Sequence, residues 1–484
     1  MKFRNFLIIL LITAVFFTSC DTDSNVTVQP GEFISYNEKA FSTFLVGEER
    51  QKLIDILDSV SVLLPFVLPD TGIDELIDKL TDFLNNSDSR RELTDGGVSC
   101  GVMEYWTTNQ KGALVKASAA VFIPCGSGSS HSLPLFSFQR PTIVHRAESP
   151  SEKVQYMKDA DSIIEGFGNE IGKGSVAMNL LNLIVADGGY IAVLPDSLGF
   201  GINCDVHPYC TNKSADATTD AIRAVKDGMK KHGFSSASAA HPENLDTWNG
   251  DRYVMLGYSE GGYVTMNTAR AIQKNGGENP KFPVAVACLA SPADLSVTMR
   301  DLMLTADREF SHPFFLPLTM KSIGAEHLEF PFSRTIVRPA GHEDFPERLF
   351  ASLSGEYTAD EINRIMTETL GSNYHGPATI LTEEVKRSLE NGGELQRILE
   401  KNNAFAGWVP EFPMLLQHDE EDELVPVGNT RRAVEFFSGA DDVTVEIGDY
   451  HLDLPDVPVH VSASVGIMLD GIKYLDEKVY ASGR

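Results

Sequence analysis

The chain lacks the marks of several chemistries. It has no His-Glu-x-x-His and no pair of Cys-x-x-Cys motifs, so neither a protease-type zinc nor a thiolate zinc is expected, because each needs those ligands at that spacing. "GFGNEIGKGS", residues 166–175, has the texture of a phosphate loop. It misses the first glycine at the right distance and a Ser or Thr directly after the lysine, and no cofactor is expected. Positive charge is scarce: 40 Lys+Arg stand against 68 Asp+Glu, a net −28. Such a body repels phosphate backbones, which excludes nucleic acid as a partner. There is no internal repeat and no low-complexity tract. The apolar run from Phe6 to Phe17 is too short to span a bilayer.

That run has another use. With Lys2 and Arg4 before it and small residues before Cys20 it has the build of an export signal. Thr18-Ser19-Cys20 resembles the lipobox of bacterial lipoproteins, which implies cleavage before Cys20 and its lipidation. Residues 1–20 are read as signal, 21–36 as a polar tether, and the expected place is the bacterial cell envelope, on the outer membrane and facing water. Loss of Lys2 and Arg4 takes the charge to −28 − 2 = −30. Disulfides persist in that compartment. Cys204 and Cys210 could staple a loop, Cys100 and Cys125 flank a hairpin, and Cys288 inside "VAVACLAS" reads as a buried thiol.

The remaining texture comes in blocks. From Asn37 to about Asn86 apolar residues recur at three and four spacing, and residues 37–92 are read as an N-terminal helical extension. "VSCGVMEYWTTNQKGALVKASAAVFIP" then alternates about Asn109–Gly112 as a hairpin does. From Leu133 short apolar runs separate helical patterns, up to Val284–Ala290; that alternation means βαβ units and a mostly parallel, doubly wound sheet buried on both faces. Residues 93–291 are thus the first part of an α/β core. The stretch 292–411 is helical, and 412–484 resumes with "FPMLLQH", "VTVEIG" and a last helix near Ser462–Leu475. A helical cap inserted into the sheet is the simplest account.

At the centre of the core stands "GYSEGG", Gly257 to Gly262. An apolar strand leads into Ser259 and a helix leads out, which is the context of a nucleophile elbow. A serine hydroxyl needs a base, and the base an orienting acid, in the chain order Ser, acid, His. His460, just before the final helix, is preferred over His451, which follows "VTVEIGDY" among Asp449 and Asp453. The acid belongs just past "FPMLLQH", in "DEEDELVP", where Asp422 is preferred to Asp419. His418 lies before that acid and is set aside.

These residues resemble the α/β-hydrolase serine esterases, and within them the secretory lipase, lipase A-like, branch. "GYIAVLPDSLGFG" (189–201), "HPY" (207–209), "GYSEGG", "HDEEDELVP" and "FFLPL" (314–318) carry the likeness, which spans about 133–475. It implies ester hydrolysis through an acyl-enzyme with Ser259 as nucleophile, Asp422 as orienter and His460 as base, and an ester or lipid substrate. Where relatives carry "QHGT" this chain has Gln139-Arg140-Pro141-Thr142. Pro141 has no N–H to give, so the oxyanion hole is expected from Arg140 or Thr142 together with the N–H of Glu260. Relatives often have an amide or glycine at 260, and the carboxylate here is expected to point away from the oxyanion. In the cap, Phe314, Phe315 and Leu316 are candidates to line an acyl pocket. A peptidase or a polysaccharide-ester deacetylase would use the same frame, and the altered "QRPT" loop leaves room for a non-catalytic binding lipoprotein.

Overall fold

The computed structural model describes residues 28–43, 45, 51, 77–79, 81–82, 96–125, 133–169, 171–232, 251–305, 310–371, 374, 376–455 and 457–480. The signal, Cys20 and most of the expected helical extension lie outside them. Among the described residues no helix is long and apolar enough to cross a membrane.

The strands are β1 (Phe33–Ser42), β2 (Val98–Thr108), β3 (Leu114–Pro124), β4 (Leu135–Gln139), β5 (Ile191–Pro195), β6 (Tyr253–Tyr258), β7 (Ala285–Leu289), β8 (Met414–Asp419) and β9 (Val443–Gly448). They form one sheet in the order β1-β2-β3-β5-β4-β6-β7-β8-β9. Pairings from β5 to β9 are parallel; β1, β2 and β3 add an antiparallel edge, with β3 antiparallel to β5. The chief helices are α1 (Lys173–Asp187), α2 (Ser214–His232), α3 (Glu260–Lys274), α4 (Phe315–Glu326), α5 (Gly428–Phe436) and α6 (Ser464–Tyr480).

Alternation along the strands builds two cores. In β6, Tyr253 and Met255 pack with α2, α3 and the helices of 295–402, whereas Val254 and Leu256 pack with α1 and α6. Successive side chains leave opposite faces of a strand, so both must be apolar when helices cover both. Sheet, crossover helices and helical insertion follow the sequence expectation closely.

One element corrects it. Phe33–Ser42, read as the end of a tether and the start of a helix, is a strand paired with β2 from Phe33↔Tyr105 to Ser42↔Val98. Register shifts between Phe33 and Ser35 and between Glu38 and Ala40 break the period of two, so the segment shows no clean alternation. The suggested disulfides are also absent. Cys100, Cys125, Cys204, Cys210 and Cys288 are all free thiols.

Candidate active site

Strand β6 delivers Ser259 into a turn at φ 59° and ψ −124°, a backbone region that L residues rarely adopt. Such strain persists only where the surroundings enforce it. The flanking glycines supply the enforcement by close approach: a Cβ on Gly257 would lie 2.0 Å from Gly261 O, and one on Gly261 would lie 1.9 Å from Gln139 O. Helix α3 therefore starts hard against the ends of β4 and β6, with its unpaired N–H groups beside the hydroxyl.

The acid and the histidine arrive from β8 and from the turn before α6. Asp422 Oδ1 accepts the N–H groups of Leu424 (3.0 Å) and Val425 (2.8 Å), which fixes the carboxylate, and Oδ2 lies 2.5 Å from His460 Nδ1. His460 Nε2 lies 2.8 Å from Ser259 Oγ. A carboxylate only accepts, so Nδ1 carries the proton and Nε2 is left to accept from the serine. The Tyr258 hydroxyl donates to His460 O at 2.5 Å and so pins the histidine backbone over the elbow. Burial opposes ionisation of Asp422, but the charge of His460 and hydrogen bonds from His418 and His460 outweigh it and hold the acid well below the usual carboxylate range.

His418, set aside in the sequence, stands against that acid. Its Nε2 lies 2.6 Å from Val425 O and 3.3 Å from Asp422 Oδ2, and its Nδ1 lies 2.7 Å from Thr430 Oγ1. A carbonyl accepts only, so Nε2 is the donor and the ring is held in one tautomer behind the carboxylate. The alternatives His451 and Asp419 form a separate pair: Asp419 Oδ2 takes the N–H of Tyr450 and of His451 and lies 3.1 Å from His451 Nδ1.

On the other side of the serine, the Glu260 side chain is buried and turned into a cluster of charge. His207 Nε2 is 2.6 Å from its Oε1 and Arg140 Nη1 is 3.7 Å from its Oε2. Arg140 also donates to Pro141 O (2.9 Å) and Asp196 O (3.0 Å). Burial would raise the Glu260 pKa; the charge and hydrogen bond of His207 and the charge of Arg140 oppose it, and the carboxyl stays below its ordinary value. His207 had surfaced in the sequence only within "HPY", with nothing to tie it to Glu260.

Asp196, beneath this cluster, behaves oppositely. It is fully buried, and burial pushes its pKa up to about 6 although Ser118 Oγ (2.5 Å) and Ser151 N (2.9 Å) donate to it. A carboxyl whose pKa is raised on folding contributes stability below its unfolded value near 4 and loses it as pH rises through about 6. Two units correspond to about 3 kcal/mol. Asp196→Asn should therefore gain on the wild type by an amount of that order between pH 4 and pH 8, read as the difference in urea midpoints at the two pH values. Parallel pH profiles of the two proteins would refute it.

An apolar cavity opens at Ser259, lined among others by Leu295, Met303, Phe315, Leu316 and Leu424. Of the three cap residues singled out in the sequence, Phe315 and Leu316 are in this lining. Phe314 is not in this lining: it is buried in the core, its ring 4.5 Å from that of Phe315. Each step along a helix turns the side chain by about 100°, so two neighbours can share a cavity wall while three successive residues span too wide an arc for it.

The family model described as secretory lipase matches residues 174–479. No curated protein is found to match the sequence. In fold, the chain is similar to the rice cell wall degrading esterase LipA of Xanthomonas oryzae, at 20% identity and TM-score 0.61 over 94% of this chain and all of that one. It is similar also to Candida antarctica lipase A, at 15% identity and TM-score 0.56 over 96% of this chain and 85% of that one.

Proposed function

The chain belongs to the secretory lipase family of α/β-hydrolases and is a carboxylic ester hydrolase, and from that premise we propose that Ser259, His460 and Asp422 carry its chemistry. The observation that supports the reading is the unbroken hydrogen-bonded line from Ser259 Oγ through His460 to Asp422 Oδ2. Ser259 Oγ attacks the ester carbonyl carbon while its proton passes to His460 Nε2; the carbonyl π pair moves onto oxygen. The N–H of Glu260 and one N–H from Arg140 or Thr142 receive that oxyanion. Collapse expels the alcohol, which takes the proton from His460 and leaves an acyl group on Ser259. Water, deprotonated by His460, repeats the attack and releases the carboxylic acid. Asp422 stays ionised throughout and stabilises the imidazolium.

The apolar cavity with Phe315 and Leu316 takes the acyl chain in this reading, and residues 292–411 form the cap that supplies much of its wall. Residues 1–20 export the chain, and lipid on Cys20 holds it to the envelope; that part rests on the sequence pattern.

The test uses p-nitrophenyl esters from acetate to palmitate, followed by inhibition with paraoxon and mass analysis of the peptides. Turnover of at least part of the series and a diethylphosphoryl group on Ser259 are expected. A folded chain inert toward every ester, or labelled at another residue, would overturn the reading.

A further inference from the structure

Arg140 in "QRPT" and Glu260 after the nucleophile, far apart in the chain, meet in space. We propose that Arg140, Glu260 and His207 form a buried charge clamp that positions both backbone donors of the oxyanion hole. The proposal rests on the serine-hydrolase reading above.

Glu260 supplies one donor from its own N–H. Its side chain is 2% exposed, and Arg140 and His207 are 4% and 7% exposed. A carboxylate buried to that degree beside a developing oxyanion would oppose catalysis unless matched by cations at close range. Here His207 stands at 2.6 Å and Arg140 at 3.7 Å. The other nitrogen of His207, Nδ1, lies 3.1 Å from Leu198 O. Both ring nitrogens thus face acceptors, which the doubly protonated ring satisfies in full.

The three residues come from the carboxyl ends of three neighbouring strands. Arg140 follows β4, His207 lies in the loop after β5, and Glu260 opens α3 after β6; the sheet order there is β5-β4-β6. Arg140 ties the loops together further, donating to Asp196 O after β5 and lying 4.8 Å from the Phe200 ring centroid. The second oxyanion donor must come from Arg140 or Thr142, because Pro141 has no N–H. Arg140 sets its guanidinium against Glu260, and Thr142 stands two residues further along the same loop. Whichever gives the N–H, that loop is held relative to the first donor through Arg140 and the same carboxylate. A neutral residue at 260 would not call for the cation at 140.

The test is a cycle of Arg140→Met, Glu260→Gln and the double variant in the full-length chain, with kcat and KM on the best p-nitrophenyl ester and affinity for an aryl trifluoromethyl ketone. Arg140→Met should lower kcat about 10- to 100-fold, with KM changed less than about threefold and ketone affinity falling in parallel with kcat, because only the charged transition state needs the hole. In the Glu260→Gln background the same change should cost less than about threefold. Equal losses in both backgrounds, or a lowered Tm with kcat intact, overturn the clamp. If Arg140→Met does not fold, Arg140→Lys is carried through the same cycle: it keeps the charge but not the guanidinium contacts, and equal losses in both backgrounds again overturn the clamp. Ser259→Ala, run alongside, separates the two levels. A wild type whose turnover survives Ser259→Ala removes the parent reading, whereas abolished turnover in Ser259→Ala with an uncoupled Arg140 removes only the clamp.

Discussion

Ser259→Ala and His460→Ala should each lower kcat by about 10⁴- to 10⁶-fold, and the double variant should be no worse than the poorer single. The two groups are one unit: without the imidazole the hydroxyl has no acceptor for its proton, and without the hydroxyl there is nothing to acylate. Asp422→Asn is the sharper test. Oδ1 is held by Leu424 and Val425 N–H, so the group that faces His460 Nδ1 at 2.5 Å is Oδ2. Replacing Oδ2 by an amide NH₂ sets donor against donor, and the imidazole answers by moving its proton to Nε2, where it can no longer accept from Ser259. A loss of about 10⁴ in kcat with the fold retained is the expected result. His418 adds to the effect, since its Nε2, 3.3 Å away, would face the same NH₂. If Asp422→Asn kept more than a tenth of wild-type kcat, the orienting role would fall, whatever Ser259→Ala did.

Local pattern made most of the sheet readable, because short apolar runs bounded by helical periods leave few other assignments. It also singled out Ser259 as the candidate nucleophile, since a strand leads into the glycine-flanked serine and a helix leads out, and it put the candidates Asp422 and His460 beyond two late strands. Three things were not readable. Strand β1 hid behind its register shifts. Phe314 looked like its neighbours because only the helix phase separates a cavity wall from the core behind it. His418 and His207 were missed for a different reason: their partners Asp422 and Glu260 matter only through contact geometry, and for His207 and Glu260 that contact spans 53 residues of chain. Glu260 itself looked like a liability in the sequence. Its cations stand on other strands, and only the sheet order brings them together.

Gly261→Ala should be the most damaging single-methyl change near the site. Neither Gly257 nor Gly261 has a positive φ, so an alanine there meets no backbone strain of its own; what it meets is other backbone. The new Cβ of Gly261→Ala would stand 1.9 Å from Gln139 O and 2.7 Å from Arg140 O. Those atoms are not the ends of flexible side chains. To make room, the end of β4 must part from the start of α3, the two elements that the oxyanion hole joins. Overpacking a core commonly costs about 1–3 kcal/mol, and contact with fixed backbone puts this change at or beyond the upper end, with kcat of the surviving folded protein down at least about 100-fold. Gly257→Ala, 2.0 Å from Gly261 O, should behave alike. Gly174→Ala is the control: its Cβ meets nothing within 4 Å and it lies in helix α1, so it should be neutral or stabilise by up to about 1 kcal/mol. Urea midpoints and kcat for the three variants decide the matter. A Gly261→Ala protein as stable and active as Gly174→Ala would mean that β4 and α3 do not abut, and with that contact gone the geometric basis for a shared oxyanion hole would go too.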